Sequence, residues 1–187
     1  MIPSLDQCLA LMARYSMLNN IKAHSLVVER VASLIARNLR SGGERIALEK
    51  VTAGALMHDI AKTECLRTKE DHAKKGKQIC LDHHFYEIAD IVAEHIILRD
   101  YDAHQPIREK EIVYYADKRV NHDGVVSLEE RLEYLLRHYG ENEKSVCDRI
   151  RMNFSLCQEV EQKLFSRLSF RPQDVACLLG QQPVKTH

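Results

Sequence analysis

The sequence predicts an all-α protein. Apolar residues recur at helical spacing almost from end to end. The seven glycines and four prolines in 187 residues fall where helices would end, apart from Gly54 and Gly76. No alternating run predicts a strand. At 45% apolar, the chain has the composition of a soluble globular protein, and its length suffices for one core, so a single domain over 1–187 is expected.

The elements follow in order. Ser4-Leu5-Asp6-Gln7 reads as a capping box opening a helix to about Leu18. A second helix runs from about Asn20 to Arg40 and stops at Gly42-Gly43, and a third covers about Ile46 to Ile60. Thr68-Lys69-Glu70-Asp71 has the composition of an N-terminal cap and opens a short polar helix carrying His72. Another helix runs from about Tyr86 to Leu98, followed by a loop over Tyr101 to Ile107. Pro106 then precedes a helix over about Glu111 to Val120. Ser127-Leu128-Glu129-Glu130 is a further capping box, opening a helix to about Tyr139 before Gly140. An amphipathic helix from about Lys144 to Leu168 and a short one after Pro172 complete the chain. Gly54 and Gly76 sit one turn from His58 and His72, where a small residue lets helices approach closely. The helices after Gly140 form a C-terminal extension, 141–187, on a core of about 18–140.

Charge excludes some functions. Lys plus Arg and Asp plus Glu are both 27, so no general field attracts nucleic acid or an anionic membrane, and an anionic substrate must be held by local groups. The six cysteines, Cys8, Cys65, Cys80, Cys147, Cys157 and Cys177, form no C-x-x-C pair and read as reduced thiols. The start lacks the basic and apolar regions of a signal peptide, and no apolar run reaches the length of a membrane span; a cytoplasmic protein is expected.

The informative residues are polar groups on apolar helix faces. His24 shares a face with Ile21, Val28, Val31 and Ile35; His58 with Val51 and Ala55; Asp59 with Leu48 and Ala55; His95 with Ile88 and Ile91; Asp117 with Val113 and Val120. Five such groups from four helices would converge on one core, where each needs a partner, and metal ions satisfy them together. His72 is less well placed, because its helix is short and polar. Imidazole and carboxylate without thiolate suit Fe, Mn, Co, Ni or Zn and fit Ca or Mg poorly. Asp59, next to His58, is placed to bridge two ions about 3.5–4 Å apart that would activate a shared water. His83, His84, His104, His122, His138 and His187 sit at junctions, loops or ends and are not expected to be ligands.

The order His24, His58-Asp59, Asp117 resembles the HD-domain superfamily of metal-dependent phosphohydrolases. It stands here in Ala23-His24-Ser25, Leu56-Met57-His58-Asp59-Ile60-Ala61-Lys62 and Tyr115-Ala116-Asp117-Lys118. The middle histidines of dinuclear members are matched by His72 in Asp71-His72-Ala73-Lys74-Lys75-Gly76 and His95 in Glu94-His95-Ile96. The resemblance covers about Leu18 to Arg131 and is greatest to small stand-alone bacterial members, including those that split dinucleoside tetraphosphates. Ala61 stands where the family often has Gly. Lys118-Arg119-Val120-Asn121-His122-Asp123 departs from the acidic-proline stretch of the tetraphosphate hydrolases.

The resemblance implies a helical bundle with extra C-terminal helices and a phosphohydrolase with two divalent transition metal ions held by His24, His58, Asp59, His72, His95 and Asp117. Asp59, as the bridging ligand, and Lys62 would be catalytic. Lys62 would face substrate phosphate, with Arg119, Lys118 and Lys22 as further phosphate candidates. The implied partner is a small phosphorylated molecule such as a nucleotide. The same ligand set also serves diiron oxygenases of this fold, and a non-catalytic nucleotide-binding regulator would keep the fold without turnover.

Overall fold

The computed structural model describes residues 1–139 and 143–180; Gly140, His187 and part of the 141–187 extension lie outside them. The chain is all-α. Its helices are α1 (Leu5–Arg14), α2 (Asn19–Ser41), α3 (Leu48–Met57), α4 (Lys62–Thr68), α5 (His72–Asp82), α6 (Tyr86–Glu94), α7 (Glu109–Lys118), α8 (Leu128–Tyr139), α9 (Lys144–Phe165) and α10 (Val175–Leu178), with a 3-10 turn over Pro172–Asp174. No helix among the described residues is long and apolar enough to cross a membrane.

The helix starts follow local chemistry. Ser4 and Gln7 close a reciprocal capping box on α1, and Ser127 and Glu130 do the same before α8. The Asp71 side chain accepts from the backbone of Ala73 and Lys74 and so sets His72 as the first residue of α5.

Three departures from the expected elements bear on function. The helices expected over 46–60 and 86–98 end earlier, at Met57 and Glu94, so His58 and His95 each follow a helix end. A short helix, α4, stands where none is expected. Two antiparallel strands, β1 (Val120–Asn121) and β2 (Gly124–Val125), occupy a stretch where no strand is expected, with His122 in the turn at φ +55°.

The long α2 packs against α3 and α7, and α3 is buried on nearly every side, with Val51, Ala53, Gly54, Ala55, Leu56 and Met57 inaccessible. Helix α6 lies against both α3 and α5. A Cβ added at Gly54 would stand 2.5 Å from Ile91 Cγ2, and one at Gly76 would stand 2.8 Å from Val92 Cγ1. Both glycines therefore admit α6 to the closeness that brings His95 beside His58 and His72. Gly54→Val is expected to cost about 1–3 kcal/mol by overpacking and to lower metal content, measured by thermal denaturation and elemental analysis.

Helix α9 contributes Phe154, Cys157, Val160 and Leu164 to the same buried cluster as α2, α3 and α7. Polar contacts reinforce the seam. Tyr114 donates to Asn153, and Lys163 Nζ stands 2.8 Å from Glu111 Oε2, an inaccessible carboxylate that Arg108 also meets at 3.1 Å.

Candidate metal centre

Five segments deliver six side chains to one place. His24 projects from the second turn of α2, His58 and Asp59 follow α3, His72 opens α5, His95 follows α6, and Asp117 lies in the last turn of α7. The imidazoles form a continuous chain, with ring centroids 5.4 Å apart for His24 and His58, 5.0 Å for His58 and His95, and 5.3 Å for His95 and His72. His58 and Asp59 are 0% and 1% exposed and His95 2%, so the centre is a core feature rather than a surface cluster.

The breaks in α3 and α6 explain how the rings are aimed. His58 Nδ1 donates to the Ala55 carbonyl at 2.7 Å, and His95 Nδ1 to the Val92 carbonyl at 2.7 Å. Both use a carbonyl freed at a helix end, three residues back. His24 Nδ1 donates to the His122 carbonyl at 2.9 Å, across the turn between β1 and β2. These contacts assign the Nδ1–H tautomer to all three rings and leave the Nε2 lone pairs directed inward, the arrangement in which a carbonyl orients a metal-binding histidine.

Asp59 is the hub. Its Oδ1 lies 3.3 Å from His72 Nε2 and 3.5 Å from His95 Nε2, and its Oδ2 lies 3.4 Å from His58 Nε2 and 2.7 Å from Lys62 Nζ. Asp117 Oδ1 stands 3.1 Å from His24 Nε2 and 3.6 Å from His58 Nε2. Burial alone would raise the Asp59 carboxyl, but the His58, His72 and His95 rings outweigh it and hold it well below the usual carboxylate range. Asp117, half-buried, is likewise held low against the cost of its desolvation, by Lys118, His24 and His58. Burial opposes a proton on His58, and the charges of Asp59 and Asp117 overcome it and raise the imidazole. The centre thus attracts positive charge. His58 Nε2 and Asp59 Oδ1 are buried without a hydrogen-bond partner, a costly arrangement that a cation removes.

Two ligand groups can each hold a metal ion: His24, His58 and Asp59, and Asp59, His72 and His95. Within each, the donor atoms lie within 4.8 Å of one another. Asp59 belongs to both.

The phosphate candidates divide. Lys62, the first residue of α4, reaches Asp59 and lines a pocket of about 210 Å3 over the centre, with Asn20, His24, Asn121, His122, Arg131 and Tyr134 among its walls. Arg119 does not reach that pocket. It is 4% exposed, and its guanidinium donates to Val126 O, Tyr115 Oη and Pro172 O, tying α7 to the C-terminal segment. The expected substrate contact is replaced by a structural one, because Arg119 lies two helical positions from Asp117 and so on another face. Lys118 is also buried; its Nζ stands 3.1 Å from Asp117 Oδ2 and donates to the His95 carbonyl. It positions two ligand-bearing segments rather than facing substrate. Lys22 is partly buried.

Among the remaining histidines, His83 meets Tyr15 Oη, His84 meets Tyr86 Oη, and His138 stacks on Tyr134. His104 lines a larger cavity, about 680 Å3, between the 101–107 loop and α9, which none of the six candidate ligands lines. His104→Ala is expected to leave metal content and turnover within about twofold of wild type, as for a surface substitution away from the chemistry. Sequence reasoning missed His122, whose carbonyl holds His24, and Arg131 and Tyr134 on α8. An ordered turn and a capping box flank them, but no spacing rule relates them to Asp117.

No curated protein matches the chain. No solved structure matches it either. The sequence profile of the HD domain matches residues 21–121, more than half of the chain and a span that takes in all six clustered side chains. With His24, His58-Asp59 and Asp117 in the family's order around one buried centre, the chain belongs to the HD domain family.

Proposed function

We propose that the protein is a metal-dependent phosphohydrolase with a dinuclear centre, acting on a phosphoester or phosphoanhydride of a nucleotide or small phosphorylated metabolite in the cytoplasm. The observation that carries this reading is the shared carboxylate. Asp59 belongs to both ligand groups, and its Oδ1 is buried without a hydrogen-bond partner between two imidazoles. One ion would take His24, His58, Asp59 and Asp117; the other would take Asp59, His72 and His95. The donor set suits Fe, Mn, Co, Ni or Zn. Two such ions, when bound, would supply Lewis acidity and a water activated at neutral pH.

The chain's own groups supply orientation. The Ala55, Val92 and His122 carbonyls hold three rings in the tautomer that offers Nε2. Lys118 fixes Asp117 relative to the segment carrying His95. Lys62 is held at the mouth of the centre by Asp59, where its remaining protons can meet a phosphate oxygen. Its ammonium is held above the ordinary lysine range: burial opposes the charge, and Asp59 outweighs burial. It therefore stays cationic at neutral pH.

The test is a panel of nucleotides and phosphomonoesters offered to protein purified with Fe or Mn. Activity should vanish on chelation and return with Mn, Co, Ni or Fe. Lys62→Ala should retain bound metal while kcat/KM falls about 10- to 150-fold, the worth of one charge-assisted hydrogen bond. Oxygen consumption by the iron form without phosphoester hydrolysis would contradict the proposal.

A further inference from the structure

The pocket over the centre holds a second cation beyond the segment matched by the family profile. Arg131 sits on α8, one turn after the Ser127 cap, and lines the same 210 Å3 pocket as Lys62, His24 and Asp59. Its guanidinium is only partly engaged. Nη1 donates to Asn121 Oδ1 at 2.7 Å, Cζ lies 5.4 Å from the Tyr134 ring centroid, and Nε is buried without a partner. Among the described residues no carboxylate lies within ion-pair distance of it. A half-buried guanidinium with a buried donor unused and no counter-ion is costly, and it marks a place where an anion completes the set. Arginine is suited to this because its planar fork matches two phosphate oxygens.

We infer that Arg131 is a substrate-binding residue and that, with Lys62, it clamps a terminal phosphoryl group, which assigns the substrate class as a phosphomonoester or a chain-end phosphate rather than an internal phosphodiester. The inference rests on the hydrolase reading for what happens at the centre, but not for the binding itself. Three separate elements converge on one small pocket: the ligand cluster, Lys62 on α4 and Arg131 on α8. A terminal phosphoryl group has three non-bridging oxygens and serves all three. An internal diester has two, and would leave one source of charge unmatched.

The experiment titrates inorganic phosphate into the Mn-loaded full chain by calorimetry, for wild type, Arg131→Gln and Arg131→Lys, with metal content measured in each. The inference expects Arg131→Gln to weaken phosphate about tenfold or more at unchanged metal content, with partial recovery in Arg131→Lys. It also expects p-nitrophenyl phosphate to be hydrolysed in preference to bis(p-nitrophenyl) phosphate, with KM for the monoester raised in Arg131→Gln. Equal phosphate affinity in wild type and Arg131→Gln, or a preference for the diester, overturns it. Phosphate binding that depends on Arg131 in a protein hydrolysing neither ester supports the clamp and overturns the hydrolase reading instead. Should Arg131→Gln fail to fold, phenylglyoxal labelling of Arg131 in wild type decides: phosphate should slow it, and an unchanged labelling rate overturns the inference.

Discussion

Asp59→Ala is expected to reduce bound metal from about two ions per chain to fewer than one and to bring turnover below about 1% of wild type. Removing a group that only orients a ligand commonly costs 10- to 100-fold, and Asp59 is placed to bind both ions directly. The substitution removes the carboxylate that His58, His72, His95 and Lys62 all meet. It leaves those cationic or donor groups facing one another, so neither half of the centre survives alone. Elemental analysis and a phosphoester assay on the same preparation read both effects. Equal hydrolysis by wild type and variant would show that the activity is a contaminant.

The second large effect concerns stability. Ending the chain after Gly140 is expected to give aggregated protein, measured by size-exclusion chromatography and heat denaturation. The cut removes Phe154, Cys157, Val160 and Leu164, all fully or nearly fully buried. At about 1.5–3 kcal/mol for each buried side chain, the loss is roughly 6–12 kcal/mol, comparable to the entire stability of an ordinary domain, about 5–15 kcal/mol. Polar losses add to it. Glu111, inaccessible to solvent, keeps Arg108 but loses Lys163, and the buried Tyr114 hydroxyl loses Asn153. A soluble and fully active truncation would instead make the C-terminal helices a separate interaction element.

How much of this was legible in the chain follows from the range of the forces involved. The all-α class was legible because helical periodicity and caps are local; Ser4, Asp71 and Ser127 open their helices by contacts spanning two or three residues. Five of the six clustered side chains were legible because polar groups on apolar faces need partners; His72, on a short polar helix, was legible only through the family resemblance. The helix ends at His58 and His95 were not, since each is fixed by a ring nitrogen bonding back to a carbonyl, while the apolar pattern runs on. Helix α4 buries only Cys65 and so leaves no periodic trace. Strands of two residues are too short to alternate. Arg119 could have been set aside from the sequence, because two helical positions turn it away from Asp117. Arg131 could not have been found there, because a hairpin and a cap intervene and only tertiary packing returns α8 to the pocket.

In the proposed dinuclear centre one carboxylate, that of Asp59, joins two metal sites. Anomalous diffraction from crystals of protein purified anaerobically with Fe or Mn supplied tests it most directly. Two peaks about 3.5–4 Å apart are expected, with Asp59 between them, His24, His58 and Asp117 around one, and His72 and His95 around the other. A single peak with His72 and His95 turned away, or no peak at all, would contradict it.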